Sequence, residues 1–238
     1  MGYSIFDFKY EQKNSCGSFT LSIPAFQIDF GELVFIYGRS GSGKSTFFNL
    51  LAGIKKSPLS NTVRKVFPRV EYVMHESKLL PWHKLYENIK VVNSLNGRID
   101  IDYLISLCKI LGLSEDILNM KSWQLSQGMR QRFEIALSLS NFPNLLIFDE
   151  AMSGIDNNNK LCVCKLVYQY IKEHNIILLA TAHQISDILR LAERVVCITN
   201  GTFTHDIQVV SHSVEERLGM SLEQLYTIPE AKIIMNLE

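Results

Sequence analysis

The sequence runs Gly38-Arg39-Ser40-Gly41-Ser42-Gly43-Lys44-Ser45-Thr46 directly after the apolar residues Leu33–Tyr37, and this stretch decides the fold. It has the spacing G-x-x-x-x-G-K-S, in which glycines let the backbone curl with its N–H groups pointing inward. The apolar run before it predicts a strand, and residues 44–54 after it predict a helix whose dipole favours anionic phosphates. We therefore predict a phosphate-binding loop, with Lys44 at the β- and γ-phosphates and the Ser45 hydroxyl on Mg²⁺.

Composition excludes several classes of protein. The chain has 238 residues and is 47% hydrophobic, which is enough to bury the core of one large domain. Lys+Arg and Asp+Glu balance at 24 each, so the bulk charge gives no reason to expect a nucleic acid partner. Its 5 scattered cysteines predict reduced thiols in a cytosolic compartment rather than a disulfide framework. The first residues do not resemble a signal peptide, and no apolar stretch approaches the roughly 20 residues of a membrane-spanning helix.

Short apolar runs alternate with helical periodicity along the chain. Apolar residues at the spacing i, i+3, i+4, i+7 predict helices within residues 104–111 and 163–171. Residues 3–10 and 19–26 predict two further β segments, joined by a turn at 12–17. Runs that are almost wholly apolar, as in strands buried on both faces of a parallel sheet, are Leu33–Tyr37, Val70–Met74, 145–148, 176–181 and Arg194–Thr199. The alternation predicts an α/β fold.

The chain is predicted to form one domain with an insertion. Residues 81–142 show helical spacing without a convincing strand, and residues 211–238 predict a helix or two. We therefore expect a β/α nucleotide-binding core at 1–76 and 143–210, a helical subdomain at about 77–142, and a C-terminal helical tail at 211–238.

A second candidate site lies where an apolar run ends in two carboxylates, Asp149 and Glu150. The carboxyl ends of the strands form the edge at which open α/β sheets bind their ligands. Asp149 is predicted to hold Mg²⁺ through a water molecule. Glu150 is predicted to orient and deprotonate an attacking water molecule.

A third motif, Leu125-Ser126-Gln127-Gly128-Met129-Arg130-Gln131-Arg132, predicts a helix start with Ser126 as its N-cap. It resembles the LSGGQ signature of the ATP-binding cassette (ABC) family in its L-S-x-G-x-x-Q-R form. Other segments follow the order of that family. Ser153-Gly154-Ile155-Asp156 resembles the D-loop, Thr181-Ala182-His183 resembles the switch-histidine segment, and Tyr10 resembles the aromatic residue that stacks on adenine.

This resemblance extends from Tyr10 to about Gly201 and implies a P-loop NTPase (RecA-like) fold. Its mostly parallel sheet would carry an N-terminal antiparallel β subdomain and an inserted helical subdomain. ATP and Mg²⁺ would bind between two such domains arranged head to tail. Ser45 and Asp149 would hold the metal, and Glu150 and His183 would be catalytic. The implied nucleotide contacts are Tyr10, Gly38, Arg39, Ser40, Gly41, Ser42, Gly43, Lys44, Ser45, Thr46, Ser126, Gln127, Gly128 and Asp156.

The chain departs from the family pattern after Val70–Met74, where His75 stands in place of the usual glutamine. That glutamine senses the γ-phosphate through Mg²⁺ and the attacking water. Imidazole can also ligate a metal or bond a water molecule, so His75 is expected to substitute as a catalytic and metal-binding residue. The alternative is that His75 merely fills the position. Gln127, Met129 and Ala151 are smaller departures that remove none of the reacting groups named above.

The resemblance implies two partners, a transmembrane permease subunit and a second copy of this chain or a homologous ATPase subunit. The permease would hold the chain at the cytoplasmic face of the plasma membrane. Leu79-Leu80-Pro81-Trp82 resembles the coupling region of nitrate- and sulfonate-type importers and of some exporters, which leaves the direction of transport open. Two alternatives are a soluble ABC ATPase acting on a cytosolic assembly, such as iron–sulfur cluster building, and a nucleotide-gated module without hydrolysis. Glu150 and His183 weigh against the second alternative.

Overall fold

The phosphate loop follows one strand of a mixed β-sheet, and the two carboxylates stand at the end of another strand of the same sheet. The computed structural model describes residues 3–5, 8–14, 17–24, 26–96 and 99–237. The strands are β1 (Tyr3–Ile5), β2 (Phe8–Asn14), β3 (Gly17–Ile23), β4 (Phe26–Ile28), β5 (Leu33–Tyr37), β6 (Val70–Met74), β7 (Leu145–Asp149), β8 (Ile177–Thr181), β9 (Arg194–Thr199) and β10 (Thr202–Gln208). The α-helices are α1 (Lys44–Leu51), α2 (Pro58–Val66), α3 (Leu85–Asn96), α4 (Ile101–Ile110), α5 (Gln127–Ser140), α6 (Asn157–His174), α7 (Ile185–Leu191), α8 (Val214–Gly219), α9 (Leu222–Thr227) and α10 (Pro229–Met235). Two 3-10 helices span Glu115–Asn119 and Ser122–Gln124.

The centre of the sheet is parallel and one side of it is antiparallel. Among the described residues the strand order is β2-β3-β10-β9-β5-β8-β7-β6. The strands from β9 to β6 pair in parallel, whereas β2 with β3 and β9 with β10 are antiparallel. β1 and β4 form a separate antiparallel pair. This arrangement confirms the predicted α/β architecture with an antiparallel N-terminal part, and it sets the ends of β5 and β7 at the same edge.

Both faces of the sheet are buried at the central parallel strands β5, β7 and β8, as the apolar runs predict. Successive side chains of β5 alternate between two hydrophobic clusters. Leu33 and Phe35 pack on the face covered by the helices from α3 onward, while Val34 and Ile36 pack on the face covered by α1 and α2. Because every residue of β5 is buried, the phosphate loop begins at the end of a strand whose position is fixed by its packing.

Between β6 and β7, the part of the chain that the structure describes forms helices and an isolated bridge between Lys84 and Lys121, without a named strand. The predicted N-cap of α5 is confirmed, since the Ser126 side chain accepts a hydrogen bond from the Met129 N–H at 3.2 Å. The signature motif therefore lies at the N-terminus of α5.

Several element boundaries differ from the prediction. The region 3–10 contains two strands in two sheets, and β2 continues to Asn14 through part of the predicted turn, whose residues 15 and 16 lie outside the described residues. The helix after the phosphate loop ends at Leu51 rather than at residue 54, because Gly53 adopts a left-handed conformation at φ 72°. The tail forms three short helices instead of one or two.

The elements that were not predicted include α2, α7 and β10. In α2, Pro58 occupies the first turn, and the side chain of each of Ser57 and Ser60 accepts a hydrogen bond from the N–H of the other in a capping box. This start signal covers only four residues of sequence and is hard to recognise before a helix of nine residues. Strand β10 lies between β3 and β9 but has mostly exposed side chains, so it lacks an apolar run. No helix in the described residues combines the length and the apolar character that crossing a bilayer requires.

Candidate functional site

The phosphate loop is shaped by two glycines that tolerate no side chain. Gly43 caps α1 with φ 112°, in the left-handed region, and a Cβ atom there would lie 2.8 Å from Cζ of Phe19. At Gly38 a Cβ atom would lie 2.3 Å from the carbonyl oxygen of Ile198. A larger residue at either position would have to displace backbone or an aromatic ring, so the curl of the loop depends on these glycines.

Lys44 lies folded over the loop that precedes it. Its Nζ donates hydrogen bonds to the carbonyl oxygens of Gly38 at 2.5 Å and Arg39 at 3.0 Å. Burial lowers the pKa of Lys44, and the negative charges of Glu150 and Asp149 oppose that shift. The ammonium is thus held at the loop by two neutral carbonyl acceptors, with Glu150 and Asp149 as acidic neighbours.

The Ser42 hydroxyl is a further reason to expect a phosphate group at the loop. The Ser42 hydroxyl is buried and, in the described part of the chain, has no hydrogen-bond partner. Buried polar groups without a partner are costly and rare, and they mark places where a ligand completes the bonding. Together with the cationic Lys44 at the N-terminus of α1, this unsatisfied hydroxyl suits an anionic ligand.

A cavity of about 370 Å³ opens beside the loop. The loop residues line it together with the candidate catalytic pair, Glu150 and His183, and with Phe19 and Lys55. Its lining consists of Phe19, Ser40, Gly41, Gly43, Lys44, Ser45, Thr46, Lys55, Glu150 and His183. Gly38 and Arg39 line an adjoining cavity of about 290 Å³ together with His183. The volume of the first cavity lies in the range of small-molecule sites.

Asp149 ends β7 with both carboxylate oxygens engaged. Tyr72 of β6 donates its O–H to Oδ2 at 2.9 Å, and Thr181 of β8 donates its hydroxyl to Oδ1 at 2.9 Å. Burial, together with the nearby Asp149 charge, raises the pKa of Tyr72. The phenol therefore stays protonated and remains a donor, and the two neighbouring strands fix the orientation of the Asp149 carboxylate.

Glu150 turns away from the strand that precedes it. Its φ of 55° is unusual for a residue with a side chain, and such conformations concentrate at functional sites. Its N–H donates to the Thr181 hydroxyl at 3.2 Å, which holds the turn. Its Oε2 lies 2.8 Å from Nε2 of His183. The His183 side chain is 70% exposed against 22% for Glu150, and both residues line the cavity.

His75 lies against the D-loop-like segment and is not among the residues that line the cavity. Its Nδ1 is 2.8 Å from the Ser153 hydroxyl. Gln131 of α5 donates to the same hydroxyl at 3.4 Å and accepts a hydrogen bond from the N–H of Gly154 at 2.9 Å. His75 is thereby linked through Ser153 to the helix of the signature motif.

The signature residues also pack on the D-loop-like segment. A Cβ atom at Gly128 would lie 2.8 Å from the carbonyl oxygen of Gly154, and one at Gly154 would lie 2.7 Å from the Gln127 side chain. Asp156 caps α6, where it accepts hydrogen bonds from the Asn159 N–H and side-chain amide, and these bonds lower its pKa. Ser126, Gln127, Gly128, Asp156 and Tyr10 do not belong to the lining of the 370 Å³ cavity.

Several residues of this region were not predicted from the sequence. Phe19 and Lys55 line the cavity, and Tyr72 bonds Asp149. For Phe19 a signal exists, since it alternates with Leu21 and Ile23 and a strand of period two sends all three side chains to one face. Lys55 and Tyr72 come to the site only through the tertiary fold.

Comparison with known proteins identifies the family. The family profile described as ABC transporter matches residues 21–153. The chain is 30% identical over 227 residues, 94% of each chain, to the aliphatic sulfonates import ATP-binding protein SsuB 1 of Pseudomonas syringae pv. syringae (strain B728a). It is 30% identical, over 92% of its own length, to SsuB 2 of Pseudomonas syringae pv. tomato (strain ATCC BAA-871 / DC3000).

Solved structures show the same fold. The dimeric bacterial ABC transporter cassette MJ0796 superposes with a TM-score of 0.74 at 22% identity, covering 89% of this chain and 100% of that one. Its post-hydrolysis dimer with ADP and Pi gives a TM-score of 0.73 at 21% identity with the same coverage. These likenesses confirm the P-loop NTPase fold. With a profile over more than half of its length and a relative matched over nearly all of it, the chain belongs to the ABC transporter family as an ATP-binding, nucleotide-binding domain.

Proposed function

We propose that this chain hydrolyses Mg-ATP to drive an importer through a separate transmembrane permease. The observation that carries the proposal is the pairing of Glu150 with His183 at 2.8 Å on the wall of the phosphate-loop cavity. A carboxylate there is suited to orient and deprotonate a water molecule beside a terminal phosphate, with the imidazole holding the geometry. Import, with aliphatic sulfonates as the solute class, is supported by the names of the Pseudomonas relatives.

The remaining site residues have distinct parts in this proposal. Lys44 would exchange the loop carbonyls for the β- and γ-phosphates, which are stronger acceptors for an ammonium. Ser45 and Asp149 would hold Mg²⁺, which supplies charge neutralisation when bound. The hydrogen bonds from Tyr72 and Thr181 would keep the Asp149 carboxylate in a single orientation.

A second copy would complete the site. Ser126, Gln127 and Gly128 form the start of α5 outside the cavity of their own chain, with the Ser126 side chain committed to capping. In a head-to-tail dimer Ser126 and the helix N-terminus behind it would meet the γ-phosphate of the other copy, because that end of a helix favours anions. The proposal is supported by the dimeric state of two similar structures.

The base of ATP is assigned to the face of the β2–β3 hairpin that packs on the phosphate loop. Phe19 lines the cavity directly. Tyr10, which the sequence predicts as the stacking residue, pairs with Leu21 in the sheet and has the Lys55 ammonium 5.9 Å from its ring centroid. Both aromatic side chains lie on the same face of the hairpin, since Phe19 pairs with Gln12 and strands alternate with period two.

Replacing Phe19 by alanine is expected to weaken ATP binding by about 5- to 150-fold, because base–aromatic stacking contributes about 1–3 kcal/mol. Tyr10→Ala is expected to weaken it less, since Tyr10 is outside the cavity lining. Calorimetric titration with ATP measures both effects. Tripolyphosphate, which has no base, is the control ligand, and its affinity should be unchanged. An equal loss for both ligands would contradict the assignment of the base and show a packing defect at Gly43 instead.

His75 is proposed to couple the nucleotide to the D-loop-like segment through its contact with Ser153. His75→Ala should lower the hydrolysis rate by about 10- to 100-fold, as expected for a residue that orients other groups. ATP affinity should change little, because Lys44 and the loop dominate it. His75→Gln should retain most of the activity, since an amide can also bond the Ser153 hydroxyl. Steady-state rates at saturating ATP test this, and wild-type activity in His75→Ala would show that His75 only fills the position.

The permease is proposed to dock beside the segment Leu79-Leu80-Pro81-Trp82. Leu80 is 41% exposed and Trp82 is 75% exposed, which is unusual for large apolar side chains at adjacent positions of one loop. Exposed apolar groups of this kind mark protein–protein contacts when they cluster. Docking there would hold the chain at the cytoplasmic face of the plasma membrane.

The proposal is tested with an affinity-tagged chain expressed in its source organism. We expect Mg²⁺-dependent ATP hydrolysis by the purified chain and co-purification of a multispanning membrane protein from detergent-solubilised membranes. A tagged Trp82→Asp, Leu80→Asp variant is the control, and it should hydrolyse ATP but lose the membrane protein. Recovery of a soluble assembly factor in place of a permease would favour the alternative of a cytosolic ABC ATPase. Binding of ATP without hydrolysis would favour the nucleotide-gated module.

A further inference from the structure

A buried ion pair joins α6 to α7 beside the switch-histidine segment. Lys160 of α6 donates from Nζ to Oδ2 of Asp187 in α7 at 2.7 Å, and the two side chains are only 7% and 9% exposed. The same ammonium donates to Oε1 of Gln184 at 3.1 Å. We call these three side chains the Lys160 cluster. Because Gln184 directly follows His183, the cluster ties the neighbour of the proposed catalytic imidazole to a helix of the core.

The Lys160 cluster lies next to the catalytic pair but outside the phosphate-loop cavity. Its three members line a cavity of about 200 Å³ together with Glu150 and His183. They do not belong to the lining of the 370 Å³ cavity that holds the phosphate loop. Any effect of the cluster on ATP hydrolysis would therefore pass through the catalytic pair.

The His183 side chain depends on its backbone for its position. Its ring nitrogen Nε2 lies 2.8 Å from Oε2 of Glu150, and the side chain is otherwise 70% exposed. On the N-terminal side the backbone is held by Thr181, the last residue of β8. On the C-terminal side the next residue is Gln184, whose side chain is held by Lys160. The imidazole is thus placed by the strand before it and by the cluster after it.

Both charges of the cluster are anchored to helix starts. The N–H of Lys160 donates to the carbonyl oxygen of Asp156 at 2.8 Å, and Asp156 caps α6 by accepting from the N–H of Asn159. The N–H of Asp187 donates to the carbonyl oxygen of Gln184 at 3.0 Å, in the first turn of α7. Gln184 is therefore fixed by its backbone to one helix and by its side chain to another.

Stability alone does not account for this ion pair. Burial raises the pKa of Asp187, and a hydrogen bond from Lys160 and the charges of Lys160 and Arg190 oppose that shift. Well-packed apolar residues of similar volume often stabilise a fold as well as a buried ion pair does, because charges must be removed from water. An apolar pair, however, cannot donate a hydrogen bond to Gln184. The directed donor is what the ion pair adds at this position.

We infer from this geometry that Lys160 and Asp187 are positioning residues for the proposed hydrolysis. The pair holds Gln184, and Gln184 keeps the His183 imidazole at Glu150. This inference rests on the proposed function. Since the cluster lies outside the nucleotide cavity, its loss should lower the rate of hydrolysis at saturating ATP and leave the KM for ATP nearly unchanged. This split distinguishes a positioning role from a role in binding.

The link through Gln184 is tested without disturbing the ion pair. Gln184→Leu removes the acceptor, so the rate of hydrolysis by the purified chain at saturating ATP should fall by about 10- to 100-fold. Gln184→Glu offers a carboxylate to the same ammonium and should retain most of the wild-type rate. The KM for ATP and the thermal unfolding temperature should match the wild type in both variants. A wild-type rate for Gln184→Leu would overturn the inference.

The ion pair itself is tested by replacing both charges with apolar side chains. Leucine has the branched shape of aspartate and methionine the unbranched shape of lysine, so a Lys160→Met, Asp187→Leu chain is expected to fold and to lose activity as Gln184→Leu does. In a His183→Ala background the same two substitutions should cause no further loss, because the side chain that the cluster positions is absent. The matched control is Lys109→Met, which removes the cation of an exposed ion pair with Glu115 and should behave as wild type.

The possible outcomes separate this inference from the proposed function. Wild-type hydrolysis by the folded chain with the apolar pair would overturn the inference alone. An equal loss with and without the His183 side chain would also overturn it, since that result indicates a general packing defect. Should the apolar pair fail to fold, the Gln184 variants decide, because they leave the ion pair in place. A wild-type chain that hydrolyses no ATP would overturn the proposed function and, with it, this inference.

Discussion

Glu150→Gln is expected to lower the rate of ATP hydrolysis by about 10²–10⁴-fold while leaving ATP binding intact. The amide keeps the size of the side chain and can still contact His183, which lies 2.8 Å from the carboxylate. It cannot accept a proton from water, so the proposed general base is lost. If hydrolysis separates a head-to-tail dimer, the variant should also accumulate as an ATP-bound dimer.

Single-turnover hydrolysis and gel filtration with ATP and Mg²⁺ measure the two effects on one sample. Glu173→Gln, on the exposed surface of α6, is the matched control and should behave as wild type. A Glu150→Gln protein that remains monomeric and hydrolyses ATP at the normal rate would contradict both the base and the dimer.

Lys44→Ala should weaken ATP binding by about 2–5 kcal/mol, because it removes the cation that lies folded over the phosphate loop. The two loop carbonyls that Lys44 contacts would then turn toward water, which costs little at this partly exposed position. The fold should therefore persist, and circular dichroism on the titrated sample checks this. Lys165→Ala, an exposed position on α6, provides the charge-matched control. Wild-type ATP affinity in Lys44→Ala would remove the basis for a phosphate site at this loop.

The parts of the fold that sequence reasoning predicts best are those with a strong local signal. Strands β5, β6 and β9 match their predicted limits. Every residue of β5 is buried, which leaves an unbroken apolar run, whereas β6 contains Glu71 and is only partly buried. The phosphate loop is predictable from its G-x-x-x-x-G-K-S spacing, although its glycines make room for the distant residues Ile198 and Phe19. Strand β10 gives no such run, as it is a partly exposed strand that pairs with β9 and only briefly with β3.

The candidate site is only partly visible in the sequence because many of its contacts join distant segments. Asp149 and Glu150 follow from the end of a strand, yet their orientation depends on Thr181, more than thirty residues away. His75 stands out as a departure from a motif, while its contact with Ser153 requires the loop after β7 to pack against the loop after β6. Glu134 carries no signal at all in a helix pattern, because its Oε2 lacks a partner among the described residues only as a result of the tertiary fold.

The junction between the β2–β3 hairpin and the rest of the sheet has a mechanical consequence. Among the described residues, β3 and β10 share one register pair, Ser22 with Thr202, and Ser22 also donates to the carbonyl oxygen of Gly201 at 2.7 Å. The N–H of the same Gly201 donates to the carbonyl oxygen of Ser42 in the phosphate loop at 2.9 Å. One turn therefore connects the hairpin to the loop. A rotation of the hairpin about that turn would move Phe19 and the phosphate loop, which line two sides of the cavity, as one unit.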